Sequence, residues 1–594
     1  MNYRVILYTI GKMLRLMGLF IVVPMIVAVI YSEDVLPYIL TIAIFEGVGL
    51  VFALKQPKDA NMYTKEATVS IGLAWIVISL LGALLYVFSG AIPSYTDAVF
   101  ELVSGITTTG STILREVESL PKGILFYRNF TVFLGGIGIL VFVLAVTNST
   151  SASGLFLYKA ESAGPNVKKM TNKLRDSAII TCVIYVCLTL VQFIALLLCH
   201  IDVYNALTIA LATAGTGGFS PTNQSIASYG SVSVEIVMTI FMFIFSLNFY
   251  VYFLIFTGKI LLAFKNEELW TFLGIALVAI IVVTLNITAY YGIFWTALRY
   301  SSFEVASSIS CAGFANADYN YWPTLSKGII LFLYFVGGCA GSTAGGMKII
   351  RVVALFKASR QKFMQTINPR KVMNVKIDGK VQDESYLSSI YFYFVMYFIV
   401  VFIGIFLISF DPNLNVEESI FAVFTTFNNA GPGVGKIGPM NNFGLLTNFS
   451  KWVLSFLMLI GRLEIFPILI LLVPSTWKIR KRPKRVNQLG TVKVLQRPSD
   501  EDNLKDEKSN EQTESDEKKN KRKQKSEEKQ KDEKNEYDEK KPNEKSPDEK
   551  EPTDDLQKAK NETATARILK GKKQKSTKLL SNSTNKHLKA QHIG

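Results

Sequence analysis

The chain has 594 residues, of which 50% are hydrophobic, and carries a formal net charge of +16. This composition excludes a wholly soluble globular protein and indicates an integral membrane protein followed by a charged tail. The five cysteines lie in or beside apolar stretches, without paired or metal-ligand spacing. We therefore expect free thiols.

Ten apolar stretches occupy the first four-fifths of the chain, and most are long enough to cross a bilayer as helices. No small-residue cleavage site follows the first, so we expect it to be retained. The stretches are Leu16–Tyr31, Val35–Leu54, Val69–Phe88, Ile124–Val146, Ala178–Cys199, Ile236–Thr257, Thr271–Tyr291, Ile329–Met347, Leu387–Phe410 and Val453–Pro474.

The charged residues predict the orientation of these spans. If ten spans alternate across the membrane, most basic residues fall in the loops on one side, which is then the cytoplasm. Both termini lie on that side. The opposite loops contain three basic exceptions, Arg115, Lys122 and Arg128. They also hold acidic residues, which we expect to attract cations to the outer face: Glu33, Asp34, Asp97, Glu101, Asp202, Asp318, Asp411, Glu417 and Glu418.

A polar run that contains glycine recurs four times, about once every hundred residues. The runs are Thr107–Thr112, Thr216–Ser220, Cys311–Ala315 and Asn429–Gly433, aligned on Gly110, Gly218, Gly313 and Gly431. Before each run lies an apolar segment too short to cross the membrane, which predicts a re-entrant helix. These segments are Asp97–Thr107, Val203–Gly215, Phe303–Ser310 and Val416–Phe427. Their C-terminal ends would direct partial negative charge toward the membrane midplane, an arrangement that favours a cation.

Three of the re-entrant helices have a shared start signal. Asp97, Asn205 and Glu418 each lie 13 positions before the aligned glycine, where the helix should begin at the outer surface.

The order of span, short segment, glycine run and span occurs four times after the first two spans. We therefore predict an all-α polytopic membrane protein with four span–pore-loop–span repeats around a pseudo-fourfold ion pathway, plus two extra N-terminal spans. The boundaries are 1–60 for the extra spans, 61–175, 176–265, 266–380 and 381–480 for the repeats, and 481–594 for a disordered cytoplasmic tail.

The tail differs in composition from the rest of the chain. From Lys478 onward there are 33 lysines and arginines and 23 acidic residues, with Tyr537 as the only aromatic residue, so it cannot bury enough apolar surface to fold alone. Its basic start, Lys478–Arg485, is equally consistent with contact to anionic lipids and with a stop signal of the positive-inside kind.

The glycine runs have a chemical interpretation. Non-helical backbone inside a membrane must be buried in protein or face water. Four such runs around one axis predict a ring of carbonyls that replaces the hydration shell of a weakly hydrated cation, with glycine permitting the necessary backbone angles. For one run alone, a simple helix break would be the better interpretation. Four runs in register favour the ring.

Two further features lie within apolar stretches. Arg462 is a charged residue near mid-membrane and predicts an electrostatic barrier below the ring; the alternative is that Arg462 and Glu464 satisfy each other or backbone carbonyls. The segment Gly337–Lys348 holds five glycines and predicts a mobile intramembrane loop; the alternative is a helix-packing contact. It matches neither nucleotide-binding glycine pattern. The pair Gly135-Gly136 predicts close helix packing only.

These motifs resemble, in order and spacing, the Trk/Ktr/HKT superfamily of potassium transporters, and within it the bacterial TrkH branch. The resemblance covers about residues 1–480. The segments that carry it are Thr107–Thr112, Gly215–Ser220, Gly313–Tyr319 with Trp322 and Pro323, Gly337–Lys348, Asn428–Gly435 and Gly461–Phe466. It implies a single-file potassium pathway through a filter of backbone carbonyls, in a protein of the bacterial inner membrane that is commonly a homodimer.

The resemblance also implies site residues. The potassium-binding carbonyls would be those of Thr108, Thr109, Gly110, Thr216, Gly217, Gly218, Cys311, Ala312, Gly313, Asn429, Ala430 and Gly431. The gate would comprise Gly337, Gly338, Gly341, Ser342, Thr343, Gly345, Gly346, Lys348 and Arg462.

The implied partners are a separately encoded, TrkA-type nucleotide-binding subunit on the cytoplasmic side and membrane lipids, with no nucleic acid. We expect no cofactor in this chain; potassium is the substrate, and a regulatory nucleotide would act only through the partner.

Two residues and the tail bear on how far the resemblance applies. Cys311 stands where a hydroxyl residue is more usual, and since the carbonyl coordinates, we expect tolerance. Some relatives with serine at the position of Gly110 pass sodium, so glycine favours potassium here. The long tail is not part of the familiar pattern, which leaves docking at the cytoplasmic face open.

The predicted function is potassium uptake, with opening when the Gly337–Lys348 loop moves away from Arg462. We expect no enzymatic activity, because the sequence has no metalloprotease motif and no nucleophile elbow. One alternative is a sodium- or proton-coupled symporter, which would need intramembrane carboxylates; Glu464 is the strongest candidate, and Glu235 and Glu304 lie toward the outer ends. Another is a membrane scaffold or lipid-processing enzyme whose glycine runs pack helices.

Overall fold

The computed structural model describes residues 1–57, 62–138, 174–370 and 373–477. These residues are mainly helical, and their one sheet is an antiparallel pair, Lys376–Ile377 with Lys380–Val381. All five cysteines are free, as the sequence predicted. The predictions for the tail at 481–594, for its basic start at Lys478–Arg485 and for the end of the fourth apolar stretch at Val146 lie outside the described residues.

The two extra N-terminal spans form a closely packed hairpin. The first consists of Tyr3–Phe20 and Val22–Ile30, and the second is Leu36–Ala53. Pro24 lies just after the break in the first span and has no N–H to continue the hydrogen-bond ladder. Glu33, in the connection, accepts hydrogen bonds from the backbone N–H groups of Lys122 and Gly123, the latter at 2.8 Å, and so joins the hairpin to the first repeat.

Each of the four repeats begins with a long outer helix, continues with a short pore helix and ends with an inner helix. The outer helices are Thr64–Gly82 with Leu84–Phe88, Leu174–Leu198, Glu267–Tyr291 and Glu384–Ile408. The pore helices are Tyr95–Ile106, Val203–Ala214, Phe294–Ile309 and Val416–Phe427. The predicted fold class, with four such repeats and two extra spans, is confirmed.

Three pore helices begin at the predicted signal. The N-cap side chains of Ser94, Asp202 and Asn415 accept hydrogen bonds from the backbone N–H groups three residues later, at 3.5, 3.0 and 2.8 Å. The donors are Asp97, Asn205 and Glu418, the three residues that mark the start in the sequence. Each side chain satisfies one N–H group that the first helical turn leaves without a partner.

The third pore helix does not begin where the sequence predicted. It starts at Phe294 rather than Phe303, immediately after Gly292 ends the outer helix in the left-handed conformation. Its N-cap, Ile293, has no side-chain hydrogen bond. The capping signal of the other three is absent here, because Tyr300 occupies the corresponding position. No residue in the sequence therefore marked the true start.

The inner helices are less continuous than the predicted apolar stretches. The inner helices are Lys122–Ile137, Val232–Ser246 with Phe249–Phe256, Thr324–Val336 with Ile349–Ile367, and Asn448–Arg462 with Phe466–Leu472. The second pair bends by 92°. Six helical segments among the described residues are individually long and apolar enough to cross a membrane, or seven if this bent pair is one span. Every inner helix therefore stops or breaks partway, whereas the sequence predicted a break only in the third.

Short helices fill the connections. They are Ile260–Phe264 and the 3-10 turns Ser225–Tyr229, Tyr319–Tyr321, Gly435–Ile437, Phe443–Leu445 and Pro474–Trp477.

We predict that Gly11→Ala loosens the N-terminal hairpin. A methyl group at Gly11 would lie 2.6 Å from the carbonyl oxygen of Gly49 and 2.9 Å from the backbone nitrogen of Ala53, so two backbones must separate. The free energy of unfolding should fall by about 1–3 kcal/mol, seen as a lower thermal midpoint in detergent. Gly47→Ala is the control, because nothing lies within 4 Å of its added methyl group. Equal midpoints for both variants would contradict the close approach.

Candidate functional site

The four pore helices end in the same hydrogen-bonding pattern. The N–H of Thr109 donates to the carbonyl of Ser104 at 2.8 Å, and the corresponding distances in the second, third and fourth repeats are 3.1, 2.9 and 2.8 Å. The preceding N–H, that of Thr108, donates to Gly105 at 2.9 Å, with equivalents in the other repeats. This pair of bonds is a Schellman motif, which closes a helix with a left-handed residue. The carbonyls that follow are left for other partners.

Each strand that follows a pore helix alternates its backbone conformation. We call these filter strands: Thr108–Gly110, Thr216–Gly218, Cys311–Gly313 and Asn429–Gly431. The first residue of each has φ between 53° and 58°, and the last, always glycine, has φ between 62° and 91°. A non-glycine residue rarely adopts such angles. Such an alternation of left-handed and ordinary residues permits successive carbonyls to turn toward the same side of a strand.

The filter strands pack into a closed ring. A methyl group built on Gly110 would lie 2.2 Å from the carbonyl oxygen of Gly217. The same construction on Gly218 meets Ala312 at 2.2 Å, on Gly313 meets Ala430 at 2.7 Å, and on Gly431 meets Thr109 at 2.9 Å. Each strand thus presses its glycine against the middle carbonyl of the next, and the fourth strand returns to the first. No side chain larger than hydrogen fits at any of the four positions without a shift of backbone.

Most carbonyls of this ring accept no hydrogen bond from the described residues. Within the described part of the chain, of the twelve carbonyl oxygens predicted to bind potassium, only that of Gly431 accepts a hydrogen bond, from the Ser111 hydroxyl at 2.9 Å. The first two residues of every filter strand are buried. A buried carbonyl without a partner is costly, so a cation or water is the natural occupant. The structure brings all twelve residues together; coordination by them stays a prediction.

The loop Gly337–Lys348 lies against the fourth filter strand. The N–H of Gly346 donates to the carbonyl of Asn428 at 3.0 Å, and a methyl group on Gly345 would lie 2.0 Å from the same oxygen. Left-handed angles at Gly337, Gly341, Gly346 and Lys348 prevent a helix here. The predicted interruption of this span is therefore confirmed, and the loop is brought up to the ring.

Hydrogen bonds hold the loop to its neighbours. The N–H of Cys339 donates to the carbonyl of Ser246 at 3.0 Å, where the second inner helix breaks. The Thr343 hydroxyl donates to Phe245 at 3.2 Å, and Ser342 closes a turn onto Cys339 at 2.7 Å. Lys348 is 4% exposed and its ammonium donates to the carbonyl of Ala344. Gly338 packs closely against Ala344 and Ser246.

Arg462 bridges the ring, the loop and the first inner helix. Its Nη1 donates to the Thr108 hydroxyl at 3.1 Å and to the Thr343 carbonyl at 2.9 Å. Its Nη2 donates to the carbonyls of Gly136, at 3.1 Å, and Gly135. The predicted proximity of Arg462 to the loop is thus observed. Backbone carbonyls hold the guanidinium, as the alternative interpretation allowed, and the same contacts position it below the ring.

The Gly135-Gly136 pair does more than the sequence predicted. Close packing is present, since a methyl group on Gly135 would lie 1.8 Å from the Ile106 carbonyl. In addition, the first inner helix ends at Ile137, where the carbonyl of Gly135 accepts from the Gly138 N–H at 3.2 Å. The carbonyls of Gly135 and Gly136 both accept from Arg462 as well. The left-handed Gly138 ends this helix, and a glycine at that position was the available signal.

Glu464 forms a separate ion pair. Its Oε2 accepts from Arg351, whose guanidinium lies 3.9 Å from the centre of the Tyr393 ring. Glu464 and Ile465 both have positive φ, 55° and 69°, where the last inner helix breaks. The pair joins this break to the helix that follows the glycine-rich loop.

An outer cavity of about 80 Å³ lies above the ring, with Gly110, Gly218 and Gly313 in its wall. The rest of the wall is mostly hydroxyl, amide and backbone groups, and its two charged side chains are those of Arg115 and Arg128. None of the acidic residues predicted to attract cations lies in this wall.

Those nine acidic residues have structural partners instead. Asp97 pairs with Lys451 at 2.6 Å, Glu101 with Arg128 at 2.6 Å, and Glu417 with Lys327 at 3.4 Å. The others, Glu33, Asp34, Asp202, Asp318, Asp411 and Glu418, accept hydrogen bonds from backbone N–H groups. Sequence position placed them on the outer side but could not distinguish a solvated carboxylate from a helix cap.

Comparison with known proteins gives a consistent result. The profile of the TrkH family, described as cation transport protein, matches residues 35–479. The Trk system potassium uptake protein TrkH of Escherichia coli K12 is 32% identical over 491 residues, covering 80% of this chain and 100% of the relative. The corresponding protein TrkI of Halomonas elongata is 30% identical, covering 80% and 96%. The crystal structure of the potassium transporter TrkH from Vibrio parahaemolyticus superimposes with a TM-score of 0.73 at 29% identity, covering 80% of this chain and all of that one.

We predict that Gly345→Ala displaces the glycine-rich loop from the fourth filter strand, because the added methyl group would lie 2.0 Å from the Asn428 carbonyl. Cys339, 1% exposed in the structure, should then react faster with a membrane-permeant maleimide. An increase of about tenfold in the labelling rate corresponds to a loss of about 1.4 kcal/mol in the stability of the loop's position against the filter strand. Peptide mass spectrometry identifies the labelled cysteine. Gly328→Ala, whose methyl group meets nothing within 4 Å, is the control; equal labelling in the two variants would refute the prediction.

Proposed function

Because this chain belongs to the TrkH family of cation transport proteins, we propose that it takes up potassium across the plasma membrane through the ring of filter strands. The observation that carries the proposal is the closed ring itself: four strands of one chain in contact in cyclic order, with eleven of the twelve carbonyls accepting no hydrogen bond from the described residues. Carbonyl oxygens in such a ring can replace the hydration shell of a weakly hydrated cation.

The chemistry of the ring supports potassium over more strongly hydrated ions. The proposed ligands are neutral carbonyls, and the described wall of the outer cavity contains no carboxylate. Carboxylates suit small, hard cations such as Mg²⁺ and Ca²⁺. Gly110 abuts Gly217 so closely that a serine there would disturb the ring, which supports the selectivity inferred from the resemblance.

We further propose that Arg462 and the loop Gly337–Lys348 form the gate. A guanidinium held by Thr108 and by three backbone carbonyls places a fixed positive charge beside the first filter strand, which opposes the passage of a cation. The loop supplies one of these carbonyls, that of Thr343. Movement of the loop would remove this acceptor and allow the guanidinium to move, which couples loop position to ion flow.

The alternatives receive less support. For a symporter, the intramembrane carboxylates Glu464, Glu235 and Glu304 would have to bind the coupled ion. Glu464 pairs with Arg351, Glu235 lies 3.2 Å from Arg299, and Glu304 accepts a backbone N–H. No observation here favours an enzyme or scaffold, and the relatives are transporters, not enzymes.

The assembly and location are part of the proposal. The relatives are named as members of a Trk system, which supports additional subunits. We propose a homodimer with a peripheral, nucleotide-binding TrkA-type subunit on the cytoplasmic side, and both termini in the cytoplasm.

We predict that Gly313→Ser lowers the preference for potassium. Gly313 has φ +74°, and an added Cβ would lie 2.7 Å from the Ala430 carbonyl, so the ring must widen or tilt. In rubidium-86 uptake into proteoliposomes, the ratio of sodium to potassium concentrations that halve uptake should fall about tenfold, equivalent to about 1.4 kcal/mol. Gly328→Ser serves as the matched control, since its Cβ meets nothing within 4 Å. If the potassium filter lay elsewhere in the chain, the ratio of sodium to potassium concentrations would be unchanged in both variants.

Arg462→Ala should raise the rate of rubidium-86 uptake in the same vesicles, because the fixed positive charge is removed. An increase of about tenfold or more is expected from a barrier reduction of about 1.4 kcal/mol. Arg15→Ala, which removes an exposed arginine paired with Glu46, is the control for loss of one positive charge. A lower uptake rate by well-folded Arg462→Ala protein would show that the guanidinium supports the pathway rather than closing it.

A further inference from the structure

Two glutamates occupy corresponding positions behind the first and third filter strands. Glu101 and Glu304 each lie nine residues before the aligned glycine, near the middle of their pore helices. Both are buried, with 0% and 1% exposure. The second and fourth repeats have Ile209 and Ala422 at this position, so the feature occurs in alternate repeats only.

Each glutamate holds the same backbone group. Glu101 Oε2 accepts a hydrogen bond from the N–H of Ile113 at 2.9 Å, and Glu304 Oε1 accepts one from the N–H of Asn316 at 3.2 Å. Ile113 and Asn316 both come three residues after the aligned glycine. Each carboxylate therefore reaches from the pore helix to the segment that follows the outer end of its own filter strand.

The two glutamates differ in their surroundings. Glu101 forms a buried ion pair with Arg128, which also donates to the Ser220 carbonyl at 3.1 Å and lies 3.5 Å from the centre of the Phe219 ring. Among the described residues, no lysine or arginine forms an ion pair with Glu304. Its link to a cation is indirect: Asn316 Nδ2 donates to Glu235 at 3.0 Å, and Glu235 lies 3.2 Å from Arg299.

We propose that Glu304 is a positioning residue that fixes the third filter strand from behind, as Glu101 does for the first. The role rests on the proposed function of the ring as a potassium filter. The strand is held at its inner end by the Schellman bonds of the pore helix and at its outer end by Glu304. The carbonyls of Cys311, Ala312 and Gly313 lie between these two anchors, so the reach of the Glu304 side chain contributes to their separation from the pore helix.

Glu101 and Glu304, which we call the two braces, lie behind opposite strands of the ring. The ring contacts run from the first strand to the second, third and fourth and back to the first, so the first and third strands are opposite each other. Carbonyls that converge on one axis repel each other when no cation is bound. A brace behind each of two opposite strands resists their separation and sets the width of the ring along one diameter.

Other contacts hold the remaining strands. Arg128 supports the outer end of the second strand at Ser220, and Glu418 accepts from the N–H of Lys436 at 2.9 Å beyond the fourth. In the third repeat, the Ser307 hydroxyl also donates to the Phe314 carbonyl at 2.6 Å. Glu304 and Ser307 therefore hold the donor and acceptor sides of the same short outer segment.

The test compares reach with charge at position 304. Glu304→Gln keeps a carbonyl oxygen at the same distance and loses the charge, whereas Glu304→Asp keeps the charge and withdraws it by one methylene. The readout is the thermal stabilisation of the full-length protein in detergent by KCl and by NaCl at constant ionic strength, which needs neither an open gate nor a partner subunit.

Glu304→Asp should lower the preference for potassium over sodium about fivefold, the change expected when one buried hydrogen bond of ordinary strength is lost. Glu304→Gln should keep the wild-type preference. Glu304→Ala should resemble the aspartate variant if it folds, and Glu417→Gln, which alters an exposed carboxylate outside the ring, should have no effect.

Two outcomes would overturn the role of Glu304: a wild-type preference in the aspartate variant, or a loss in the glutamine variant as large as in the aspartate variant. The second would show that charge, rather than reach, is what matters. If the wild-type protein itself showed no preference for potassium, the proposed function would fail, and the role of Glu304 would fail with it.

Discussion

The contact on which the site depends is the approach of a glycine Cα to a carbonyl of the neighbouring filter strand. It is made four times, between different pairs of strands, and it closes the ring only because all four positions lack a Cβ. These contacts join backbone to backbone, and among the described residues only the carbonyl of Gly431 accepts a hydrogen bond from a side chain, that of Ser111. The surrounding helices hold the four strands at this separation.

Helix ends determine which backbone groups near the ring have hydrogen-bond partners. The pore helices close on themselves through Schellman bonds, which use up the carbonyls of the last turn and leave those of the filter strand. The first inner helix stops below the ring, and the carbonyls of Gly135 and Gly136 at its end accept from Arg462, that of Gly135 in addition to the Gly138 N–H. Several backbone acceptors at helix ends and in the glycine-rich loop therefore converge on this charged residue and stabilise it.

The sequence was informative wherever a local signal repeated. The four glycine runs predicted the repeats, and Asp97, Asn205 and Glu418 marked three helix starts because a polar residue before each of them satisfies an orphan N–H. The third start at Phe294 had no such signal. The break after Ser246 was also missed, since no glycine or proline lies there and the bend depends on Asn248 capping the next segment and on Gly341 accepting from Phe249. Contacts made by residues far apart in sequence, such as Arg462 with Gly136, had no pattern by which to be found. The sequence likewise placed Glu101 and Glu304 on the outer side without indicating that they are buried acceptors.

A ring formed by four strands of one chain can be changed by mutation one strand at a time. In a filter assembled from four identical subunits, a single codon change alters every quarter at once. Here the four strands are encoded separately, and a substitution at Cys311 leaves Thr108, Thr216 and Asn429 as they were. Each filter strand can therefore accumulate substitutions one at a time while the other three strands keep the ring closed. The different residues at these equivalent left-handed positions are the kind of divergence that such gene-level independence allows.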